Sequence, residues 1–171
     1  HWAGSFDEAR LRSWAEKLRT QLKASRVDLG LVFASPQYFD DAAQMLEVLR
    51  VHAQVPLLVG CSSSSLVAGA QEMEEDAGLV LGLYSLPGAK LDAVRFTQDQ
   101  VEESKGPAYW QIENDIHPQQ TNGWLCFADP FHLDCESWLR GWNEAYAPLP
   151  ILGGLASGDH PAQRTQVYLN G

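Results

Sequence analysis

Cysteine is scarce in this chain: Cys61, Cys126 and Cys135 are the only three, and no two are spaced C-x-x-C. That count leaves no material for a disulfide framework or a zinc knuckle, and a reducing, cytoplasmic location is the expectation. Positive charge is also short, with 12 Lys and Arg against 22 Asp and Glu and a formal net charge of −10. Nucleic-acid binding needs a concentrated basic surface, so no nucleic-acid partner is expected. An acidic surface also repels anionic lipid headgroups. The densest basic stretch, Arg10 to Arg26, is interrupted by Glu16 and reads as the solvated face of a helix. No apolar run approaches the roughly 18 residues that span a bilayer, so no membrane insertion is expected. The opening residues lack a basic region followed by an apolar one, and no signal peptide is expected there. There is no H-E-x-x-H, no G-x-x-x-x-G-K-[ST] and no G-x-S-x-G in the chain. These absences remove the sequence signs of a zinc protease, a phosphate-binding P-loop and a hydrolase nucleophile elbow.

What is present is a core-forming composition, 45% hydrophobic and 20% charged, suited to one domain across residues 1–171. Ser5-Phe6-Asp7-Glu8 has the form of a capping box, and Leu11, Trp14, Ala15, Leu18 and Leu22 recur at helical spacing behind it. An amphipathic helix over residues 5–25 follows. Val27 to Ala34 reads as a buried strand ending at Ser35-Pro36, and Tyr38, Ala42, Met45, Leu46 and Leu49 mark a second helix. Pro56 to Val59 is a second strand, broken by the run from Gly60 to Ser65. Gly78 to Leu86 is a third strand. Gln71 to Glu75 is expected to pair with it as a hairpin, and Leu91 to Thr97 to extend the same sheet. Residues 98–121 read as a long connection, a short helix and then a loop through Pro107 and Pro118.

The pattern then returns. Leu31-Val32-Phe33-Ala34-Ser35-Pro36 has a counterpart in Leu125-Cys126-Phe127-Ala128-Asp129-Pro130, 94 residues on. The same offset carries Asp40 to Asp134, Pro56 to Pro150, Gly60 to Gly154 and Ser63 to Ser157. A strand, a crossover helix and a second strand form a right-handed parallel unit. The fold expected is therefore α/β, with duplicated β-α-β units (about 27–86 and 123–171) in a pseudo-twofold arrangement and mixed sheets flanked by helices.

In open α/β sheets, ligands gather beyond the carboxyl ends of the parallel strands. The loops there are Ser35 to Tyr38, Gly60 to Ser65, Asp129 to His132 and Gly153 to His160. Their glycines and serines let backbone N–H groups and hydroxyls approach a small polar ligand. Ser35, Cys61, Ser62, Ser63, Asp129 and Ser157 are the candidate ligand-binding residues. Cys61 is the one nucleophile placed just after a strand, with His132 and His160 on the same rim. A Cys-dependent hydrolase ranks last among the readings, because a small buried thiol is the ordinary role of such a residue. A single histidine is enough to ligate haem iron, so the cofactor is left open, with haem as an alternative. Trp138 and Trp142 fall on one helical face and read as core. Trp110 and Trp124 flank the long connection and motivate the alternative of a protein-interaction scaffold.

These segments resemble a known family. Val27 to Pro36 is similar to the opening of the FIST N-terminal domain, and Leu58-Val59-Gly60-Cys61-Ser62 to its strand and turn of the form VGCS. Gly153-Gly154-Leu155-Ala156-Ser157 resembles its GGxAS segment, and Gln166 to Gly171 the strand that follows. The resemblance implies a sensory or interaction module of bacterial signalling proteins, found also with F-box domains in eukaryotes. It implies a small-molecule ligand such as an amino acid, with haem in some members, and a signalling protein as partner. It also implies a C-terminal FIST partner domain, for which residues 1–171 leave no room. The leading expectation is thus a non-enzymatic sensory domain of a signal transduction protein that binds an amino-acid-like metabolite in a cleft.

Overall fold

The structure is a computed structural model that describes residues 1–74, 76–159 and 161–171. It divides into two compact units, one of His1–Leu91 with Ala156–Gly171 and one of Asp92–Leu155. The fold is mixed α/β.

The first unit is built on a five-stranded sheet in the order Trp2–Ala3, Gly78–Tyr84, Leu29–Ala34, Leu58–Ser62, Val167–Leu169. Its elements are β1 (Trp2–Ala3), α1 (Glu8–Gln21), β2 (Leu29–Ala34), α2 (Ala42–His52), β3 (Leu58–Ser62), β6 (Gly78–Tyr84) and β9 (Val167–Leu169). Strands β2 and β3 run parallel, joined through α2, while β6 lies antiparallel to β2 and β9 antiparallel to β3. Along β2 the residues Gly30, Val32 and Ala34 are buried and their neighbours half-buried, the alternation a pleated strand imposes. Leu11 and Ala15 of α1 and Met45, Leu46 and Leu49 of α2 join Val32, Leu58, Leu79, Leu81 and Tyr168 in one core. The apolar stripes read from the sequence are therefore the faces that pack.

Four local expectations for this unit are corrected. Helix α1 starts at Glu8, and its cap is Asp7, whose carboxylate accepts the Arg10 N–H at 3.0 Å, so Ser5 plays no such part. A carboxylate satisfies an orphan donor and also favours the positive end of the helix, which a serine does less well. Gln71 to Glu75 does not pair with Gly78 to Leu86. Instead β5 (Gln71–Glu74) folds back on β4 (Ser65–Ala68), and Glu75 lies outside the described residues. The reason is the two-residue turn Gly69-Ala70, in which Gly69 has φ +65°. Leu91 to Thr97 forms no strand. Finally, β3 is not broken at Gly60 but runs on through Cys61 to Ser62. A Cβ on Gly60 would stand 1.7 Å from the Val32 carbonyl oxygen, so only glycine lets β2 and β3 stay paired there.

The second unit holds α3 (Gln98–Glu103), α4 (Pro107–Asn114), β7 (Trp124–Ala128), α5 (Cys135–Tyr146) and β8 (Ile151–Leu155). Residues 98–121 open with the short helix expected, α3, but beyond it, where a loop was expected, come a second helix and a short 3-10 turn, because Pro107 sits in the first turn of α4. Proline is compatible with that position, whose N–H has no intrahelical partner. Strands β7 and β8 pair in parallel and α5 is capped by Asp134, which accepts the Ser137 N–H at 3.0 Å. Trp138, Trp142 and Tyr146 form the buried stripe of α5 and pack with Trp110, Val101 and Ala128. Phe96 stacks on Trp138 with ring centres 4.8 Å apart. Trp110 is 1% exposed and Trp124 is packed against the same cluster, so neither is the free aromatic expected. Large rings buried against one another dominate packing, and Val94, Ile116, Leu133, Leu149 and Ile151 close around them.

The two parallel pairs share one local device, but not by a gapless offset. Gly153 has φ +154°, and its Cβ would stand 1.8 Å from the Cys126 oxygen, as Gly60 (φ +156°) does at Val32. Cys126 lies 94 residues after Val32, yet Gly153 lies 93 after Gly60. The register agrees: Val32 pairs with Gly60 and Cys126 with Gly153, not with Gly154. A one-residue slip matters because it turns every side chain of a strand to the opposite face.

Candidate functional site

The candidate serines lie at the carboxyl ends of β2 and β3 in the first unit. Ser35 is 3% exposed, its N–H donates to the Gly78 carbonyl at 2.9 Å and its Oγ accepts the Gly78 N–H at 2.9 Å. Ser62 repeats the arrangement on the next strand: its N–H donates to the Gln166 carbonyl at 2.8 Å and its Oγ accepts the Gln166 N–H at 3.0 Å. Each hydroxyl therefore prolongs an antiparallel ladder by one step, which is why β2 and β3 remain held past their last paired residue. Two of the six candidates thus serve the sheet, a role that their residue type alone does not distinguish from ligand binding.

Beyond Ser62 the chain turns through residues that are less buried. The Ser63 N–H donates to the Ala34 carbonyl at 2.9 Å and its hydroxyl to the Ser65 carbonyl at 2.6 Å. The returning segment meets this turn from the other side. Ser157 donates its N–H to the Ser62 carbonyl at 3.0 Å, and its Oγ accepts the Ser64 N–H at 3.0 Å and the Ser64 hydroxyl at 3.3 Å. Ser62, Ser63 and Ser157 are thus brought together, with Ser64 as the direct partner of Ser157. Ser64 is exposed and Ser63 and Ser157 are half-buried.

Three further residues join this end of the sheet that the sequence reading did not nominate. Thr165 and Tyr168 are 8% and 4% exposed, and Thr165 Oγ1, Gln166 Oε1 and Tyr168 OH are buried without a hydrogen-bond partner. Gln166, whose backbone N–H meets Ser62, donates from Nε2 to the Phe39 carbonyl at 3.1 Å, which ties its side chain to the segment ahead of α2. A buried polar atom without a partner costs free energy unless water or a ligand satisfies it. No periodicity marks these positions. A polar Thr-Gln pair just ahead of a short strand is the only sign of them in the sequence.

Cys61 is 4% exposed and burial pushes its thiol up to about 11. Burial likewise raises the hydroxyl of Tyr168, with the nearby Cys61 thiol adding to it. A thiol held protonated at neutral pH is a poor nucleophile. Among the described residues no histidine hydrogen-bonds it, and His160 lies outside them. Among the described residues, this end of the sheet offers hydrogen-bonding groups beside a thiol that burial holds protonated.

Asp129 belongs to the second unit. Its Oδ1 accepts the Phe131 N–H at 2.9 Å and its Oδ2 meets His132 Nδ1 at 2.8 Å, so it orders the turn ahead of α5. Of the described histidines, His1, His117 and His132 are exposed, His132 meeting Asp129 at 2.8 Å, and His52 holds Glu16 at 2.9 Å. Among the described residues no group of three or more His, Cys, Asp or Glu is gathered as a metal site. No described helix is long and apolar enough to cross a membrane.

The serine-bearing turns meet at the carboxyl ends of parallel strands in a mixed α/β domain. The chain belongs to the FIST N domain family, whose model matches residues 28–171, and this is a family of sensory and signal transduction domains. Among curated proteins it is similar to uncharacterized protein Rv0628c of Mycobacterium tuberculosis (strain ATCC 25618 / H37Rv), 23% identical over 157 residues. It is also similar to uncharacterized protein Mb0898c of Mycobacterium bovis (strain ATCC BAA-935 / AF2122/97), 24% identical over 159 residues. Each alignment covers 90% of this chain but only 39% and 38% of the relative, so the chain spans about two fifths of their length. No solved structure matches it.

Proposed function

We propose that this domain is a non-enzymatic sensory module that takes a small, amino-acid-like ligand at the carboxyl ends of β2 and β3. The observation that carries the reading is the set of three partnerless buried atoms, Thr165 Oγ1, Gln166 Oε1 and Tyr168 OH, on the segment that closes against Ser62. Two hydroxyls and an amide oxygen offer both donors and acceptors, which suits a ligand carrying an ammonium and a carboxylate. Ser63, Ser64 and Ser157 supply the open rim, while Ser35, Cys61 and Ser62 support it from behind. Binding is read out by a partner domain in a longer assembly, in keeping with relatives more than twice this length. The two parallel units descend from one ancestral segment that later shifted by one residue before its second strand.

The test is thermal denaturation of the chain with each amino acid in turn. A ligand at a hundred times its Kd stabilises by about 2.7 kcal/mol, which for a domain of this size raises Tm by roughly 5–10 °C. Gln166→Leu, which removes the amide oxygen and leaves the backbone pairing with Ser62, abolishes that rise. A flat response across the panel with folded protein overturns the reading.

A further inference from the structure

The basic stretch Arg10 to Arg26 is not simply a solvated helix face. At the amino ends of β2 and β3, opposite to the serine turns, a groove of about 370 Å³ is lined by Arg19, Arg26 and Arg50 together with Val27, Val55 and Pro56. Three guanidinium groups around one small groove are unusual in a chain with a net charge of −10. The Nε atoms of Arg19 and Arg50 are buried and have no hydrogen-bond partner.

The three arginines are differently engaged. Arg19 donates from Nη1 to the Ala24 carbonyl at 3.2 Å and from Nη2 to the Ser25 carbonyl at 2.9 Å, which ties it to the turn after α1. Arg26 meets Asp28 at 2.8 Å and is largely exposed. Among the described residues Arg50 has neither an ion pair nor a side-chain hydrogen bond, although it sits in the last turn of α2. The ends of α1 and α2 each place about half a negative charge nearby, and Asp28 a full one, so the groove keeps roughly one net positive charge. Glu16 is held by His52.

We infer that this groove is an oxyanion-binding site for a small organic phosphate, with Arg50 as its principal ligand and Arg26 as a second. The planar guanidinium fork matches phosphate oxygens in pairs, and Val27, Val55 and Pro56 give the ester's body an apolar wall. The volume lies in the range of small-molecule sites. The groove lies at the opposite ends of β2 and β3 from the serine turns and shares no residue with them, so this site is additional to the serine end. The same chemistry is offered by a lipid headgroup, and the two sources are separated by experiment.

Phenyl phosphate and inorganic phosphate are titrated calorimetrically into the whole chain at matched ionic strength, beside sedimentation with phosphatidylserine vesicles. Saturable binding of phenyl phosphate is expected, tighter than inorganic phosphate, with no pelleting on vesicles. Arg50→Gln weakens it by roughly tenfold or more, as loss of a charge-assisted hydrogen bond does. Arg26→Gln, an exposed change that spares the fold, weakens it less, and Gln166→Leu leaves it unaltered. No saturable binding at millimolar phenyl phosphate overturns the proposal. So does equal affinity in folded Arg50→Gln and Arg26→Gln, or binding to vesicles without binding to the free ester.

Discussion

Alanine at Gly153 and alanine at Gly154 should behave as different classes of mutation, although the residues are neighbours of the same type. At Gly153 a Cβ would stand 1.8 Å from the Cys126 oxygen and 2.7 Å from its carbonyl carbon, with φ at +154°. Relief requires β7 and β8 to part by more than 1 Å, which breaks the ladder that pairs Cys126 with Gly153. Overpacking costs about 1–3 kcal/mol, and an L-residue held at an unfavourable positive φ about 1–3 kcal/mol more. Gly153→Ala should therefore destabilise the chain by about 2–6 kcal/mol and lower Tm by roughly 4–24 °C. At Gly154 nothing lies within 4 Å of the same atom and φ is ordinary, so Gly154→Ala should stay within about 0.5 kcal/mol of the parent. Near-ultraviolet circular dichroism follows the second unit directly, since Trp110, Trp124, Trp138 and Trp142 all belong to its aromatic cluster. If Gly154→Ala proves the more damaging, the gapless 94-residue offset was right and the observed register of β8 is wrong. Equal, small effects would refute the close-approach argument for both strand pairs.

Three smaller tests follow from other sites. Asp7→Ala removes the acceptor of the Arg10 N–H and should cost about 1 kcal/mol in urea denaturation, whereas Ser5→Ala should cost nothing measurable. Ser62→Ala leaves the Gln166 N–H without its 3.0 Å acceptor and should cost about 1–3 kcal/mol. Ser64→Ala, at an exposed turn, should change stability little. Burial raises both Cys61 and Cys126 from 9.0 to about 11, so the folded state holds their protons more firmly than the unfolded one. Their contribution is complete below pH 9.0, declines as pH rises from there, and is lost by about 11. Denaturation in steps across that window should show the fall, and Cys61→Ala should reduce it. Stability that rises over the same window would contradict the burial of these thiols.

The sequence by itself determined the parts that rest on short-range periodicity. The stripe Leu11, Ala15 on α1, the stripe Met45, Leu46, Leu49 on α2 and the Trp138, Trp142, Tyr146 face of α5 all pack as their spacing requires, because a helix brings residues three and four apart to one side whatever lies around it. The family was legible too, since its motifs are contiguous runs. Only the tertiary structure decided matters that depend on a partner distant in the chain. Whether Ser35 and Ser62 face a ligand or extend a ladder depends on Gly78 and Gln166, which lie 43 and 104 residues away. Gln71–Glu74 chose β4 over β6 because its turn suited the nearer strand. Trp110 was hidden by rings from α5. The groove of Arg19, Arg26 and Arg50 had no sequence signature, because its members come from α1, the turn before β2 and the end of α2. A side chain's type is local, but its role is set by which groups folding places within hydrogen-bond reach.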